Sequence, residues 1–234
     1  MGPEPIVALD VGGADEALAL ARRVGAACRF YKVGSELFTA AGPAVIRRLR
    51  DEVDADVFLD LKFHDIPTTV AGAVRSAAAL GVRLLTVHAS GGAEMVTAAQ
   101  EAAGERCGVL GVTVLTSHDA VTQGAAWGRK PVEVIAEVVR LAGVMAAAGG
   151  HGVVCSGLEA AAVRERHPRL AVLVPGIRFA GGAGHDQRRT VTPADARGLG
   201  ARYVVLGRAV TRAADPAAAM AQAAAALRGE RTGP

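Results

Sequence analysis

Three charged residues in one short segment carry the strongest chemical signal in the chain. Asp60, Lys62 and Asp65 lie within the run Phe58-Leu-Asp-Leu-Lys-Phe-His-Asp65. The strand period of two predicts that Asp60 and Lys62 share one face, with the leucines beside them on the other. A lone Asp-x-Lys pair is most simply a structural ion pair. An ammonium held among carboxylates is also suited to deliver a proton to a carbanion.

Two further charged residues extend this cluster. Asp10 and Lys32 each end an apolar run that predicts a strand. Only three of the 26 basic residues are lysines, so arginine serves wherever a generic surface cation is needed. A lysine kept in such a chain indicates a place that needs a compact, titratable ammonium. We therefore predict a small site in which two lysines alternate with the carboxylates of Asp10, Asp60 and Asp65.

A second group of residues is typical of a phosphate site. A glycine-rich loop follows Arg178 and reaches Gln187, which makes it longer than the usual connection of about 2–6 residues. Gly207 and Arg208 follow a later apolar run. Loop N–H groups and arginine side chains are the donors that hold phosphate in barrels of parallel strands. We predict that these four residues bind a phosphate and that the loop 179–187 is its lid.

Apolar runs alternate with alanine-rich segments of helical period, and these predict the elements that position the site. Near-continuous apolar strands separated by helices indicate parallel strands covered by helices. Eight such strands in about 200–250 residues predict a single (β/α)8 TIM-barrel domain over residues 1–234, with its site at the C-terminal strand ends. An open doubly wound sheet is the main rival, weakened because no GxGxxG follows the first strand. The predicted strands are Ile6–Leu9, Phe30–Val33, Val57–Leu61, Leu84–His88, Val109–Leu115, Gly152–Cys155, Ala171–Val174 and Tyr203–Leu206. The predicted helices are 14–27, 42–50, 67–80, 92–103, 131–148, 157–167, 193–199 and 215–228.

Composition excludes several classes of protein. A chain with 51% hydrophobic and 21% charged residues is not disordered. No apolar run reaches the roughly 18 residues that span a bilayer, so we expect no membrane partner. The basic residues are scattered and few aromatics accompany them, so we expect no nucleic-acid partner. Three cysteines without a CxxC motif favour a reducing, cytoplasmic location, and a net charge of +3 suits an anionic small molecule.

The segment Asp60-Leu-Lys-Phe-His-Asp-Ile-Pro-Thr-Thr69 resembles the signature of the orotidine 5'-phosphate decarboxylase family. Further matching segments follow in the family's order, from about residue 5 to residue 220. They are Ala8–Asp10, Lys32–Phe38, Thr86–Ala89, Val114–Ser117, Pro175–Arg178, Asp186–Gln187 and Leu206–Arg208. The resemblance implies decarboxylation of orotidine 5'-phosphate to UMP, the last step of de novo pyrimidine synthesis, without a metal or organic cofactor.

The resemblance also implies roles for single residues of one chain. Lys62 would protonate C6 of the pyrimidine as CO2 leaves, and Asp60 would lie against the departing carboxylate. Asp10 and Lys32 would hold ribose hydroxyls and complete the charge network. Thr116 would lie beside the pyrimidine, and the four phosphate residues predicted above keep that role.

Other residues are implied to act across a homodimer with shared active sites. Asp65 and Thr69 would reach into the partner's site, and Ile66 between them is assigned to substrate binding. The lid departs from the family pattern at Phe179, where proline commonly follows the arginine, and at His185, where a second aspartate is common. Both departures concern the lid and its affinity for phosphate rather than the reaction.

Two alternatives stay open. Related barrels with the same Asp-x-Lys-x-x-Asp core act on sugar phosphates, as keto-gulonate phosphate decarboxylases or hexulose phosphate synthases, and use Mg2+ held by a carboxylate that ends the second strand. This chain has Lys32 there, which cannot ligate a cation while it is protonated. A catalytically silent nucleotide-binding barrel would not need both Lys62 and Asp60.

Overall fold

The strands of the computed structural model, which describes residues 2–179 and 191–230, close into one parallel barrel in the order β1 to β8. The predicted (β/α)8 TIM barrel is therefore confirmed, and the doubly wound sheet is excluded. The strands are β1 Glu4–Ala8, β2 Phe30–Gly34, β3 Asp56–Phe63, β4 Leu84–His88, β5 Gly108–Val112, β6 Gly152–Val154, β7 Ala171–Ile177 and β8 Tyr203–Leu206. The helices are α1 Ala14–Val24, α2 Ser35–Ala41, α3 Ala44–Val53, α4 Pro67–Ala79, α5 Gly92–Ala103, α6 Ala120–Ala126, α7 Val134–Ala147, α8 Gly157–Arg166, α9 Pro193–Gly198, α10 Arg208–Thr211 and α11 Pro216–Arg228. Whether the chain is one domain over its full length stays a prediction.

The strand boundaries differ from the predicted ones mainly at the C-terminal ends, where the site lies. β3 continues to Phe63, and β7 continues to Ile177 through Pro175 and Gly176. Pro175 lies where the pairing between β7 and β8 shifts register, which is where a strand tolerates a proline. The helices α2 and α6, of seven residues each, were not predicted.

Residues of the strands are buried almost without alternation. Val57, Leu85, Val109 and Val153 are all fully buried. Parallel strands of a barrel are covered by helices on the outside and by other strand side chains within, so both faces exclude water. This double burial makes the strand frame stiff and lets it hold side chains at its ends in fixed positions.

An ionic cluster closes the end of the barrel at which the strands begin. Arg83, just before β4, donates two hydrogen bonds of 2.7 Å to Glu4 and one of 2.8 Å to Asp56. Its guanidinium also lies 4.7 Å from the ring centroid of Phe30. Together these residues come from the starts of β1, β2 and β3, so one arginine ties four neighbouring strands together.

No helix within the described ranges is long and apolar enough to cross a membrane. All three cysteines, Cys28, Cys107 and Cys155, are buried. Burial raises the pKa of Cys107 to about 11, so this thiol stays protonated at neutral pH. The cytoplasmic location stays a prediction.

Close approach of β6 and β7 requires glycine at position 152, and we predict that Gly152→Ala is destabilising. A Cβ atom at Gly152 would lie 2.1 Å from the carbonyl oxygen of Ala171, and backbone in a barrel cannot move aside cheaply. We expect a loss of about 1–3 kcal/mol in the free energy of unfolding, measured by urea denaturation.

The control is Gly143→Ala, inside helix α7. Its Cβ would meet the His167 ring at 3.6 Å, which is ordinary van der Waals contact. Replacing a glycine within a helix by alanine is expected to stabilise the chain by about 0.5–1 kcal/mol. Equal effects of the two substitutions would contradict the close pairing of β6 with β7.

Candidate active site

A cavity of about 500 Å³ opens where the C-terminal ends of the strands meet. Eight of the residues predicted for the site line it, namely Asp10, Lys32, Asp60, Lys62, Thr116, Arg178, Gly207 and Arg208. The lining also includes Glu36, Thr211 and Arg212, which the sequence analysis did not single out. The fold therefore brings to one cavity four of the five residues of the predicted charged cluster, all but Asp65, and three of the four predicted phosphate residues.

The charged cluster is centred on the carboxylate of Asp60. Lys62 Nζ lies 2.9 Å from Asp60 Oδ1, and Lys32 Nζ lies 3.7 Å from Asp60 Oδ2. Lys32 Nζ also lies 2.9 Å from Asp10 Oδ1. The Asp60 and Lys32 side chains are only 14% and 12% exposed, whereas that of Asp10 is 59% exposed. The buried carboxylate is thus shared by two ammonium groups, and the outer carboxylate faces the mouth of the cavity.

The backbone places Lys62 in the cavity by a bulge rather than by the regular strand period that the sequence analysis assumed. Phe58 pairs with Leu84 on β4, but Phe63 pairs with Val87, so β3 carries two extra residues between these pairs. Lys62 lies in this irregular stretch with φ +52°, a left-handed conformation that costs a non-glycine residue about 1–3 kcal/mol. Bulges of this kind re-aim side chains beside active sites.

Thr86 on β4 bonds to both members of the central ion pair. Its hydroxyl accepts a 2.9 Å hydrogen bond from the backbone N–H of Lys62 and donates one of 3.0 Å to Asp60 Oδ1. The Thr86 residue is fully buried. In the sequence, Thr86 stands out only as part of a segment that resembles the family, since nothing in the spacing shows that its hydroxyl lies beneath a bulge.

Two histidines lie beside the cluster. The rings of His64 and His88 are 5.2 Å apart, centroid to centroid. Burial lowers the pKa of His88, and the neighbouring His64 and Lys62 lower it further, so His88 is neutral at pH 7. A neutral imidazole adds no cation next to the Lys62 ammonium.

The residues predicted to serve a partner's site lie outside the cavity of their own chain. Asp65 and Ile66 are exposed in the connection from β3 into α4, Thr69 is exposed in the first turn of α4, and the cavity lining includes none of them. Ile66 is 64% exposed. Asp65 Oδ1 accepts a hydrogen bond from the Ile66 backbone N–H at 2.6 Å, which orders this corner.

Three arginines line the cavity from the ends of β7 and β8. Arg178 follows β7, and its side chain donates a 3.0 Å hydrogen bond to the Ile177 carbonyl. Arg208 and Arg212 lie on and just after the short helix α10 that follows β8. Gln187, the predicted lid and His185 fall outside the described residues, apart from Phe179, which packs against the core.

Other polar residues at this end of the barrel have structural roles. Ser156 follows β6, but it is fully buried and caps helix α8 together with Glu159. Within residues 2–179 and 191–230, no group of three or more histidine, cysteine or carboxylate side chains is arranged to hold a metal ion.

The fold and the cavity define the class of this protein: it is a (β/α)8 barrel with a cluster of lysine and aspartate side chains at the C-terminal ends of its first three strands. The chain belongs to the Orotidine 5'-phosphate decarboxylase / HUMPS family, whose sequence model matches residues 3–223.

Individual proteins support the assignment over almost the full length. The orotidine 5'-phosphate decarboxylase of Pseudomonas fluorescens (strain SBW25) is 46% identical over 226 residues, which are 95% of this chain and 96% of that protein. The crystal structure of orotidine 5'-phosphate decarboxylase from Lactobacillus acidophilus is 33% identical, with a TM-score of 0.83 over 97% of this chain and 99% of that one. The corresponding enzyme from Pyrococcus horikoshii OT3 is 26% identical, with a TM-score of 0.77 over 96% and 99% of the two chains.

Gly34, at the end of β2, leaves space for the Lys32 ammonium, and we predict that Gly34→Ala displaces it. An added Cβ would lie 2.9 Å from Lys32 Nζ and 3.4 Å from Asp10 Oδ1. Because the tip of a lysine moves easily, we expect the free energy of unfolding to change by less than about 1 kcal/mol. A crystal structure of the variant should show Lys32 Nζ moved out of contact with Asp10.

The matched control is Gly12→Ala in the loop after Asp10, where an added Cβ has no heavy atom within 4 Å. The Lys32–Asp10 pair should be intact in that variant. A Gly34→Ala structure with the pair at its original distance would refute the steric role of Gly34.

Proposed function

We propose that this chain decarboxylates orotidine 5'-phosphate to UMP and CO2 without a cofactor, as the last step of de novo pyrimidine synthesis. The observation that carries the proposal is the Lys62 ammonium, held 2.9 Å from Asp60 in a cavity that Arg178 and Arg208 also line. A phosphate at the arginines would direct the pyrimidine ring towards Lys62. The names of the full-length relatives support this substrate.

The Lys62 ammonium is suited to stabilise the carbanion that this reaction forms. Loss of CO2 from C6 leaves a carbanion whose lone pair lies in the plane of the ring, so the ring stabilises it little. A fixed positive charge beside C6 stabilises the developing negative charge without reorganisation, and the same group then donates the proton. Asp60 keeps the ammonium aimed into the cavity and lies against the departing carboxylate.

The remaining residues bind and orient the nucleotide. Asp10 and Lys32 are placed to hold the ribose hydroxyls, because their pair lies at the edge of the cluster and Asp10 is exposed to the cavity mouth. Thr116 lines the cavity and would contact the pyrimidine. Gly207 and Gln187 would join the arginines at the phosphate. Binding energy from these remote contacts is available to hold the reacting carbon at Lys62.

The alternative of a Mg2+-dependent sugar-phosphate enzyme is less well supported. Its metal would need a carboxylate at the end of β2, where this chain has Lys32. The Lys32 ammonium is already paired with Asp10 and lies near Asp60, so a cation there would meet a positive charge. A nucleotide-binding barrel without catalytic activity would not need the left-handed backbone conformation at Lys62.

We predict that Lys62→Ala abolishes decarboxylation while EDTA leaves the wild-type rate unchanged. Removing the proton donor is expected to lower kcat by at least roughly 100- to 10,000-fold. The measurement is the ultraviolet absorbance change as orotidine 5'-phosphate is consumed. Lys130→Ala is the matched control, because Lys130 is exposed and does not line the cavity.

Two results would count against the proposal. A rate that falls with EDTA and returns with Mg2+ would favour the sugar-phosphate alternative. A wild-type chain that binds UMP but consumes no orotidine 5'-phosphate would favour the silent barrel.

The second part of the proposal is a homodimer with shared active sites. Asp65 and Thr69 are exposed and lie outside the cavity of their own chain, beside the exposed Ile66 side chain. An isologous interface that covers this corner would carry Asp65 of each chain into the site of the other.

Mixing two inactive variants tests the shared site. A Lys62→Ala chain and an Asp65→Asn chain are each expected to be inactive alone. In a mixed dimer one site carries both changes and the other carries neither, so random mixing should restore about a quarter of the wild-type activity. Refolding the two chains together and assaying the product checks this. An inactive mixture that contains mixed dimers would refute the sharing of sites.

A further inference from the structure

We infer that Thr86 is a positioning residue that holds the Lys62–Asp60 pair in its reactive arrangement. This inference rests on the proposed decarboxylation. Thr86 itself is absent from the cavity lining, so it acts through its two partners rather than on the substrate.

The directions of the two hydrogen bonds at Thr86 are fixed by chemistry. The Lys62 backbone N–H can only donate, and the Asp60 carboxylate can only accept. The Thr86 hydroxyl therefore accepts a hydrogen bond from the Lys62 N–H at 2.9 Å and donates its own hydrogen bond to Asp60 Oδ1 at 3.0 Å. One hydroxyl thus links the backbone of one member of the pair to the side chain of the other.

The link explains how the bulge in β3 is maintained. In the irregular stretch of β3, the Lys62 N–H bonds to a side chain of β4. A buried N–H without a partner is costly, so this bond favours the left-handed conformation of Lys62 over a regular strand. The regular strand would change the direction of the Lys62 side chain.

The same hydroxyl orients the Asp60 carboxylate. Asp60 Oδ1 receives both the Thr86 hydroxyl and the Lys62 ammonium, which leaves Oδ2 facing Lys32. Threonine is β-branched and has few χ1 rotamers, and full burial on β4 restricts it further. The Thr86 hydroxyl holds the Asp60 carboxylate in one orientation. The Lys62 ammonium, which is bonded to that carboxylate, is therefore held in one orientation as well.

Steady-state kinetics of three Thr86 variants test the inference. Thr86→Val keeps the shape but removes both hydrogen bonds, and Thr86→Ala removes them with less bulk. We expect both to lower kcat by roughly 10- to 100-fold, as loss of a hydrogen bond to a charged group does. The KM for orotidine 5'-phosphate should change by less than about threefold, because the ribose and phosphate residues lie elsewhere. Thr86→Ser should restore kcat to within about threefold of wild type.

Thr113→Val is the matched control for a lost buried threonine hydroxyl. Thr113, just after β5, is 4% exposed, donates to the Val154 carbonyl at 2.8 Å and is not among the residues that line the cavity. We expect it to lower thermal stability without lowering kcat. Agreement with this pattern separates positioning of the pair from a general loss of packing.

The outcomes distinguish the inference from the proposed function. An active wild type with Thr86→Val or Thr86→Ala at wild-type kcat overturns the positioning role alone. Equal losses in Thr86→Ser and Thr86→Val, or in Thr113→Val, also overturn it. If Thr86→Val does not fold, Thr86→Ala and Thr86→Ser give the same comparison. A wild type without decarboxylase activity instead overturns the proposed function.

Discussion

One carboxylate, that of Asp60, is shared by two ammonium groups and a hydroxyl, and the chemistry of the cavity depends on this sharing. Lys62 bonds to one of its oxygens, and Lys32 lies near the other. Because Asp60 is mostly buried, water screens these interactions little. An uncompensated charge there would be costly, and each charge in the group faces one of opposite sign. The Lys62 ammonium is thereby held in one direction, as the proposed stabilisation of a carbanion requires.

The barrel supplies the rigidity that this arrangement needs. The site residues extend from strands that are buried on both faces, and the opposite end is tied together by Arg83. Within that frame the left-handed conformation of Lys62 costs free energy locally, and the hydrogen bonds around Lys62 offset this cost. The site therefore combines a regular scaffold with one irregular segment, and the irregular segment carries Lys62, the proposed proton donor.

Much of this could be predicted from the sequence, for physical reasons that also set the limits. Continuous apolar strands and alanine-rich helices repeat along the sequence, and this repetition predicts the barrel. It also predicts that Asp10 and Lys32 lie at the C-terminal ends of strands. The left-handed conformation of Lys62 leaves no such signal, because no glycine marks it. The strand period of two placed Asp60 and Lys62 together, as the structure does, but an irregular backbone rather than a regular strand brings them there. Thr86 was missed because its role depends on a shift in strand register, and Gly34 because its role is space for a side chain.

A crystal structure of the chain with UMP bound would test the role of Lys62 most directly. We expect the Lys62 Nζ atom to lie within about 3–3.5 Å of C6 of the pyrimidine, since reacting atoms must be held at that separation. The Asp60 carboxylate should lie beside it and the phosphate at Arg178 and Arg208. A bound nucleotide whose C6 lies away from Lys62, with the ammonium turned to solvent, would contradict the central claim.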